Sequence, residues 1–454
     1  MAELPEGDDS ASRGDLPGAV AAGHTARGTA ALKILLYGLN YAPETVGTGR
    51  YSGELGAWLA ARGHRVKVIA APPYYPAWRV APGAKRWWRR ETLDDVRVRR
   101  CPLWVPRRPR GWSRLLHLAS FALSSLPVAL WQGLAWRPDV VVAVAPTLAA
   151  APGAWLAARL GGARAWLHLQ DFELEAAFGL GIARGGALKR LALRPERCLL
   201  RRFARVSSIS PAMLRRLEAK GVAPERLVEF RNWVDCQAIR PTPPDAGLRA
   251  ALALPEGKAI ALYSGNLGEK QGLELLVAAA RQLARRDDLL FLLVGAGAAR
   301  ERLATEAAGL ANLVLRPLVP PEQLNALLSL ATLHLLPQRA DAADLVLPSK
   351  LTGMLASGRP VVATAAAGTG LAAELEGCGL LVPPGDAAAL AQAIERLLDR
   401  PELAAALGEA ARERALARWD RAAILGGFEA ALGAALAGAP PPAVATAPTA
   451  ERKP

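Results

Sequence analysis

The feature that most constrains the fold is an alternation of short apolar runs with longer helical stretches, which occurs twice along the chain. The first set of apolar runs covers 33–39, 65–71, 140–145, 164–169 and 204–210, and the second covers 258–265, 289–295, 312–318, 332–338 and 359–364. Such alternation is typical of a parallel sheet with helices on both faces. The sequence therefore predicts an α/β protein with two Rossmann-like domains.

The domain boundaries follow from the same pattern. At 454 residues the chain is long for a single core. We predict a first domain over 32–240 and a second over 248–417, joined by the stiff, proline-rich stretch PTPPDAG. The helical segment 418–437 comes after the second sheet and is expected to cross back to the first domain.

The two ends of the chain have a different composition from the rest. Residues 1–31 lack apolar periodicity and lack the apolar core of a signal peptide, so we predict a disordered extension. Residues 438–454 form a Pro/Ala-rich tail of the same kind.

Basic residues and tryptophans are concentrated in one region of the first domain. The formal net charge is +15, and Lys85 to Arg114 carries eleven Lys or Arg against three acids. Ten of the twelve tryptophans fall between Trp58 and Trp166. This composition predicts a surface that lies on anionic lipid headgroups; the alternative is a solvated basic loop with ordinary packed tryptophans. No helix-turn-helix, finger or RNP-like motif accompanies the charge, so we expect no nucleic-acid partner.

The longest uncharged segment, residues 115–136, has the length of a membrane span. Its Pro127, Gly133 and His117 weaken that interpretation and favour a buried or interfacial helix. The four cysteines contain no CxxC pair, which predicts neither a zinc site nor a disulfide framework and is consistent with the cytoplasm.

The first candidate motif is the loop after the first strand, NYAPETVGTGRYSGEL. Gly47, Gly49 and Gly53 permit close backbone approach, and a helix from about Tyr51 offers free N–H groups to an anion. In a dinucleotide enzyme the GxGxxG pattern follows the strand directly. Here the glycines are spaced GxGxxxG and begin eight residues after the strand, and no acid ends the second strand. The pattern therefore argues against NAD.

The second motif is YSGNLGEKQGLE at 263–274. A strand ends in a turn containing Gly265 and Asn266, and Lys270 is placed at the start of a helix. A lysine beside free helix N–H groups suits a diphosphate, although a surface lysine on a helix cap would have the same pattern. We assign Gly295 and Gly297, at the end of the next strand, to the same binding site.

The third motif is ADLVLPSKLTGMLASGRPVVAT. Pro348 suits the first position of a helix, which would leave the N–H groups of Ser349 and Lys350 free to face an anion. Lys350 adds a second cation, and we assign Asp344 to the same site.

The fourth motif, HLQDFELEAAFGLG at 168–181, follows a buried strand. Ligands of such sheets bind at the carboxyl ends of the strands. His168, Asp171 and Glu173 are therefore candidate catalytic residues for acid/base or hydroxyl-orienting work. The alternative is a set of helix-capping acids plus one core histidine.

Together, in this order, the four motifs resemble the family 4 retaining glycosyltransferases, and within that family the WcaI-type enzymes of colanic acid and exopolysaccharide biosynthesis. The resemblance covers about residues 32 to 435. It implies a GT-B type fold, in which two Rossmann-like domains face a cleft that holds a nucleotide-sugar donor. It also implies sugar transfer with retained configuration, without a metal or other cofactor. The implied acceptor is a polyprenyl-diphosphate-linked oligosaccharide, so we expect a cytoplasmic protein associated peripherally with the inner membrane.

The resemblance also implies roles for individual residues. Lys270 matches the lysine that binds the diphosphate, whereas Asn266 stands where the family usually has arginine. His168 is the nearest match to a histidine close to the sugar, although Asp171 could be aligned there instead.

The largest departure concerns two glutamates, eight residues apart, that contact the sugar and the ribose in the family. They would fall at Leu345 and Gly353, neither of which is acidic. Because glycine destabilises a helix by about 1 kcal/mol relative to alanine, we expect that something, for instance the ribose, approaches the backbone of Gly353 closely. The alternative is simple drift in a helix that packs loosely.

Two other functions fit parts of the pattern. A nucleotide-sugar 2-epimerase of the same architecture would not need a basic, tryptophan-rich membrane face. A non-catalytic membrane-associated scaffold of polysaccharide assembly would be consistent with the missing glutamates. We expect no metal dependence, because Lys270, Lys350 and two helix N-termini can neutralise a diphosphate and the chain has no DxD motif.

Overall fold

The computed structural model describes residues 30–80, 83, 87–107, 112–146, 148–172, 194–339 and 347–442, without the side chain of Lys270. Within this part of the chain, the strands form two separate sheets, one of eight strands and one of six. The prediction of an α/β fold with two Rossmann-like sheets is confirmed.

The first sheet has the strand order β3-β4-β2-β1-β5-β6-β7-β8. Its strands are β1 (Lys33–Gly38), β2 (Arg65–Ala70), β3 (Arg89–Leu93), β4 (Val96–Arg100), β5 (Val140–Ala145), β6 (Arg164–Leu169), β7 (Arg205–Ser208) and β8 (Leu227–Glu229). Neighbouring strands are parallel except β3 and β4, which form an antiparallel pair at one edge. The edge pair was not predicted.

The second sheet has the order β11-β10-β9-β12-β13-β14, and all of its strands are parallel. Its strands are β9 (Ala259–Asn266), β10 (Leu289–Ala296), β11 (Leu313–Arg316), β12 (Leu333–Leu336), β13 (Val361–Thr364) and β14 (Gly379–Val382). This sheet contains every strand predicted for the second domain plus β14 at its edge.

Helices cover both faces of each sheet. They are α1 (Gly47–Ala61), α2 (Trp112–Trp131), α3 (Ala151–Gly161), α4 (Pro211–Ala219), α5 (Ala246–Ala251), α6 (Glu274–Gln282), α7 (Arg300–Glu306), α8 (Leu324–Ser329), α9 (Lys350–Ala356), α10 (Gly370–Leu375), α11 (Ala387–Leu398), α12 (Pro401–Arg418) and α13 (Arg421–Leu436). One face of the first sheet packs with α2 and α3, and the other with α1 and α13. The strands between them are therefore buried on both sides, which explains continuous apolar runs such as VVVAVA in β5.

Helix α2 lies against the first domain along one side and is exposed along the other. Phe121, Ser125 and Ala129 are buried, and a π-helical turn (Gln132–Trp136) extends the helix at its end. A Cβ atom at Gly133 would lie 2.3 Å from the carbonyl oxygen of Ala157 in α3, so the close crossing of the two segments requires glycine. By length and composition, Trp112–Trp136 could cross a membrane, and 33% of its most apolar stretch is buried inside the protein. The predicted buried or interfacial helix stays a prediction.

The last helix, α13, packs on the first sheet. Phe428 stacks on Phe230 with the ring centroids 4.1 Å apart and meets Trp166 edge-on. Glu429 accepts hydrogen bonds from Arg62 and, at 2.9 Å, from His64. This packing explains why an almost wholly apolar helix follows the second sheet.

The chain passes between the two sheets twice, and the two passing segments lie side by side. The Val234 N–H donates to the carbonyl oxygen of Trp419 at 2.9 Å, and the Arg421 N–H donates to the carbonyl oxygen of Val234 at 2.9 Å. The segment that leaves β8 and the segment that enters α13 thus form a short parallel bridge. The predicted domain boundaries remain predictions.

Candidate active site

The predicted nucleotide site lies at the carboxyl end of β9 in the second sheet. Gly265 has a φ of +139°, a conformation that L side chains rarely adopt. A Cβ atom at Gly295 would lie 2.2 Å from the carbonyl oxygen of Gly265, and one at Gly297 would lie 2.3 Å from that of Leu267. Gly295 and Gly297 are therefore required by the close packing of two turns. Their proposed contact with a ligand stays a prediction.

Lys350 reaches from α9 to this glycine turn. Its Nζ atom donates a hydrogen bond of 2.6 Å to the Tyr263 hydroxyl and lies 3.4 Å from Oε1 of Gln271. The same Nζ atom is 4.1 Å from the centroid of the Tyr263 ring and would be 3.2 Å from a Cβ atom at Gly265. The structure thus brings together the glycine turn and a lysine that the sequence places far apart.

The ammonium group of Lys350 is largely shielded from water. Burial lowers its pKa from the ordinary value of 10.5 to about 8. Among the residues that the structure describes, no carboxylate forms an ion pair with it. At neutral pH it is therefore a positive charge held by a hydroxyl and an aromatic face, which is favourable for binding an anion.

Sequence reasoning did not identify Tyr263, although this residue opens the quoted motif. Its side chain is fully buried, and its hydroxyl donates to the carbonyl oxygen of Asn266 at 2.7 Å. That donation uses the single proton of the hydroxyl group. Toward Lys350 the hydroxyl oxygen is therefore the acceptor, and the ammonium group is the donor. Tyr263 therefore fixes the position of Lys350 relative to the turn.

The helix starts in this region differ from the predicted ones. Lys270 belongs to a short 3-10 turn, Glu269–Gln271, and α6 begins only at Glu274. Ser349 is the N-cap of α9, and its side chain makes no capping hydrogen bond. Pro348 was predicted at the first helical position, but it precedes that cap because α9 begins at Lys350. The proposed roles of Lys270, Pro348 and Ser349 stay predictions.

The local structure gives no reason for glycine at position 353. A Cβ atom there would make one ordinary contact, 3.6 Å from Cδ1 of Leu328. No described protein atom therefore approaches this backbone closely. A close approach by the ribose stays a prediction.

The glycines of the first loop are packed against by residues of that same loop. Helix α1 begins at Gly47, about one turn before the predicted start, and has no side-chain N-cap. A Cβ atom at Gly49 would lie 2.6 Å from the carboxylate of Glu44, and one at Gly53 would lie 2.9 Å from Cβ of Ala42. The close approach at Gly49 and Gly53 is therefore made by the preceding loop. Binding of an anion by Gly47 and Gly49 stays a prediction.

Glu44 joins the loops that follow β1 and β2. Its buried carboxylate accepts hydrogen bonds from Asn40 Nδ2 at 2.8 Å and from the backbone N–H groups of Tyr74 and Tyr75, each at 3.0 Å. Arg100, also buried, donates to the carbonyl oxygens of Ala71 and Ala42 and so joins the same two loops. A buried carboxylate beside the start of α1 makes this loop a poorer anion site than the one around Lys350.

The predicted catalytic residues fall in different environments. His168 is 3% exposed, lies 3.0 Å from the Ser207 hydroxyl and packs its ring on Phe230. Burial lowers its pKa to about 3. This environment favours the alternative of a core histidine. Asp171 is exposed after β6, where it accepts a hydrogen bond from the backbone of Phe172.

Two further predicted residues, Glu173 and Asp344, lie outside the described part of the chain. The catalytic assignment as a whole therefore stays a prediction.

Comparison with known proteins identifies the class of enzyme. The family description "Glycosyl transferase 4-like domain" matches residues 46–233, and "Glycosyl transferases group 1" matches residues 246–414. Among solved structures, the sucrose-phosphate synthase from Thermosynechococcus elongatus is similar with a TM-score of 0.64 and 21% identity, over 87% of this chain and 97% of that one. Anabaena HepE in complex with UDP is similar with a TM-score of 0.62 and 17% identity, over 89% of this chain and 100% of that one. The fold is that of a GT-B glycosyltransferase.

A curated relative gives the family. The putative colanic acid biosynthesis glycosyl transferase WcaI of Escherichia coli K12 is 45% identical over 382 residues, which are 82% of this chain and 93% of the relative. The chain therefore belongs to this family of glycosyltransferases and is an enzyme of that class.

Proposed function

We propose that this enzyme transfers a sugar from a nucleoside-diphosphate donor to a polyprenyl-diphosphate-linked oligosaccharide, with retention of configuration, in exopolysaccharide biosynthesis. The observation that carries the proposal is Lys350, a half-buried cation held by Tyr263 over the glycine turn after β9. The similarity to WcaI supports the exopolysaccharide pathway.

Several observations support a nucleotide-sugar donor. The structural neighbour HepE was solved with UDP and with UDP-glucose. A diphosphate leaving group gains negative charge as the glycosidic bond breaks, so a pre-positioned ammonium group stabilises the transition state more than the ground state. Lys350 supplies one such charge, and we assign the second to Lys270.

The donor is identified by a thermal-shift screen with UDP-, GDP- and dTDP-sugars, because a ligand that binds the folded state raises the melting temperature. The donor so found is then supplied in labelled form with membranes from a strain that lacks this enzyme. We expect label in the lipid fraction with the wild type. Lys270→Ala should lose most of the transfer while keeping the melting temperature of the free protein. Turnover by this variant within a few-fold of wild type would refute its role.

The same assay tests the remaining parts of the proposal. Transfer that persists in EDTA is expected, whereas transfer abolished by EDTA and restored by magnesium would refute metal independence. Retention is tested by comparing the anomeric configuration of donor and product by NMR. A requirement for the lipid acceptor distinguishes a transferase from a nucleotide-sugar 2-epimerase, which would act on the donor alone, and labelled product excludes a non-catalytic scaffold.

We assign membrane contact to an exposed apolar surface on and around α2. This lipid-facing surface consists of Trp87, Trp88, Trp104, Trp112, Leu116, Leu123, Trp131 and Leu134, all exposed. Trp88 is fixed to the helix by a hydrogen bond from its Nε1 atom to the carbonyl oxygen of Ser124. Large contiguous apolar patches on soluble domains mark interaction sites, and exposed tryptophans are typical of membrane interfaces.

A group of cations lies beside this surface. Strand alternation and register place Arg65, Lys67, Arg90, Arg97 and Arg99 on one face of β2, β4 and β3, which we call the cationic face. Burial, and then the charges of the four arginines, lower the pKa of Lys67 to about 8. In the part of the chain described, no carboxylate forms an ion pair with any of the five. Lys67 contacts Trp136 and Gln132 at the end of the α2 segment, so the two surfaces adjoin.

Vesicle sedimentation tests this assignment. Each basic residue near an anionic surface contributes about 1 kcal/mol, so the double variant Arg97→Gln/Arg99→Gln should bind anionic vesicles roughly thirtyfold more weakly. Leu123→Ser should weaken binding without changing its salt dependence. Equal binding to neutral vesicles, or release only by detergent, would favour a spanning helix.

A further inference from the structure

An aromatic cluster lies at the carboxyl ends of β1 and β2, next to the first glycine loop. The ring centroids of Tyr74 and Trp78 are 5.6 Å apart, those of Tyr74 and His117 4.9 Å, and those of Trp78 and His117 5.4 Å. Tyr75 meets Trp78 edge-on at 6.5 Å. Neither the sequence motifs nor the proposed donor site account for this cluster.

His117 carries an unused hydrogen-bonding atom inside the cluster. Its Nδ1 atom lies 2.6 Å from the carbonyl oxygen of Trp104 and must be the donor, since a carbonyl oxygen only accepts. Burial lowers the pKa of His117 and outweighs the opposing effect of that hydrogen bond, so the ring is neutral. Its Nε2 atom is then an acceptor, and within the described residues it is buried without a partner. A buried acceptor without a partner is costly, which points to a ligand that donates to it.

The loop that covers His117 is conformationally unusual. Trp78 has a φ of +49°, which is rare for a bulky residue and is maintained only where the surroundings require it. Trp78 is half-buried and Tyr75 is exposed, so both rings have edges at the surface. A movement of Trp78 would open access to His117.

The position of the cluster agrees with a role in acceptor binding. His117 lies on the buried side of α2, while its sequence neighbour Leu116 belongs to the lipid-facing surface. On the other side, a Cβ atom at Gly47 would lie 3.7 Å from the Tyr75 ring, so the cluster adjoins the start of α1. A sugar attached to a membrane lipid would reach this cluster at a short distance from the bilayer.

We propose that Tyr75, Trp78 and His117 form a binding subsite for a neutral sugar ring of the acceptor. The assignment to the acceptor rests on the proposed function. The apolar C–H face of a pyranose packs on the aromatic rings, and one hydroxyl donates to Nε2 of His117, which satisfies the buried acceptor. Trp78 swings aside and then covers the sugar.

The test uses methyl glycosides, which contain neither lipid nor nucleotide. Methyl β-D-glucopyranoside, methyl β-D-galactopyranoside and methyl α-L-fucopyranoside are titrated against the full chain with UDP present, and binding is followed by saturation-transfer NMR. We expect at least one to bind the wild type. His117→Asn can keep the hydrogen bond to Trp104 but has no atom in place of Nε2, and it should weaken binding about tenfold.

Matched variants separate this role from a structural one. His117→Gln can place an acceptor near the position of Nε2, and binding should recover to within about threefold of the wild type. Trp78→Ala should weaken glycoside binding, while the thermal shift with UDP stays as in the wild type for all three variants.

The possible results separate failure of the subsite from failure of the proposed function. Absence of glycoside binding to the wild type, or equal binding to His117→Asn and wild type, would overturn the subsite. Glycoside binding that depends on Nε2 of His117, in a protein that neither binds nucleotide sugars nor transfers them, would support the subsite and refute the proposed function instead.

Discussion

The carboxyl edges of the two sheets carry opposite kinds of polar group. In the second domain a half-buried lysine, Lys350, packs against Tyr263 with no carboxylate among its described partners. In the first domain a buried carboxylate, that of Glu44, accepts hydrogen bonds from Asn40 and from two backbone N–H groups, and it lies beside a cluster of aromatic rings. The first arrangement suits an anion such as the proposed diphosphate, whereas in the second Arg100 binds the same two loops as Glu44, and the rings beside them suit an uncharged sugar. A similar strand-and-helix scaffold thus provides two chemically different sites.

The largest expected effect comes from removing the cation of the second domain. Lys350→Ala should reduce sugar transfer by about 10²- to 10³-fold, because it deletes a charge that acts on the leaving group. Lys350→Arg is the matched control, since it keeps the charge but not the fit to Tyr263. The measurement is kcat and KM with the donor found in the thermal-shift screen. Normal transfer by the alanine variant would remove the distinction between the two edges.

Removing the carboxylate of the first domain should affect stability rather than donor binding. Glu44→Ala leaves Asn40 and the backbone N–H groups of Tyr74 and Tyr75 without their acceptor, and it should lower the free energy of unfolding by about 2–4 kcal/mol. Glu44→Gln retains one carbonyl oxygen as an acceptor and should therefore lower the free energy of unfolding by less. Urea denaturation gives the stability, and calorimetry with the donor found in the thermal-shift screen should give an unchanged dissociation constant. A large loss of donor affinity would place Glu44 in the donor site.

A smaller effect is expected from Tyr263→Phe, which removes the hydroxyl that holds Lys350. The affinity for the donor found in the thermal-shift screen should fall by about three- to tenfold. In the wild type, affinity should decrease as the pH rises through about 8, because Lys350 is charged below its pKa and neutral above it. The hydroxyl favours the charged form, so its loss should shift this decrease to lower pH. An unchanged pH profile would show that Tyr263 does not position the ammonium group.

The smallest effect is expected at Gly353. A Cβ atom fits there, 3.6 Å from Leu328, and alanine favours a helix over glycine by about 1 kcal/mol. Gly353→Ala should therefore leave the free energy of unfolding unchanged or raise it by up to about 1 kcal/mol, which thermal and urea denaturation measure. Calorimetry with the donor found in the thermal-shift screen tests the remaining prediction, since Gly353→Glu should weaken binding if the ribose approaches this backbone. Tighter binding by the glutamate variant would refute that approach.

Much of the fold was predictable because buried parallel strands leave a simple signal. The apolar runs of β1, β5 and β9 are buried on both faces and stand out in the sequence. The pair β3 and β4 was missed because its exposed face carries arginines, so the segment resembles a basic loop. The cationic face depends on the register of these strands, which composition does not reveal.

The candidate site was predictable only in part. The glycine turn and Lys350 were identified separately, each from its own motif, but Tyr263 and Lys350 are 87 positions apart and no spacing rule links them. Glu44 and His117 were not identified as site residues, because their significance depends on neighbours from other parts of the chain. His168 was favoured by its position after a strand, yet a strand end can point into the core as well as toward a ligand.

The parallel bridge between the two passing segments has a mechanical consequence. A single covalent crossing would restrict the relative rotation of the two domains very little. Here there are two crossings, and backbone hydrogen bonds from Val234 to Trp419 and from Arg421 to Val234 join them. The two crossings are thus tied to each other where they pass between the sheets, so neither can shift along the other without breaking these two hydrogen bonds.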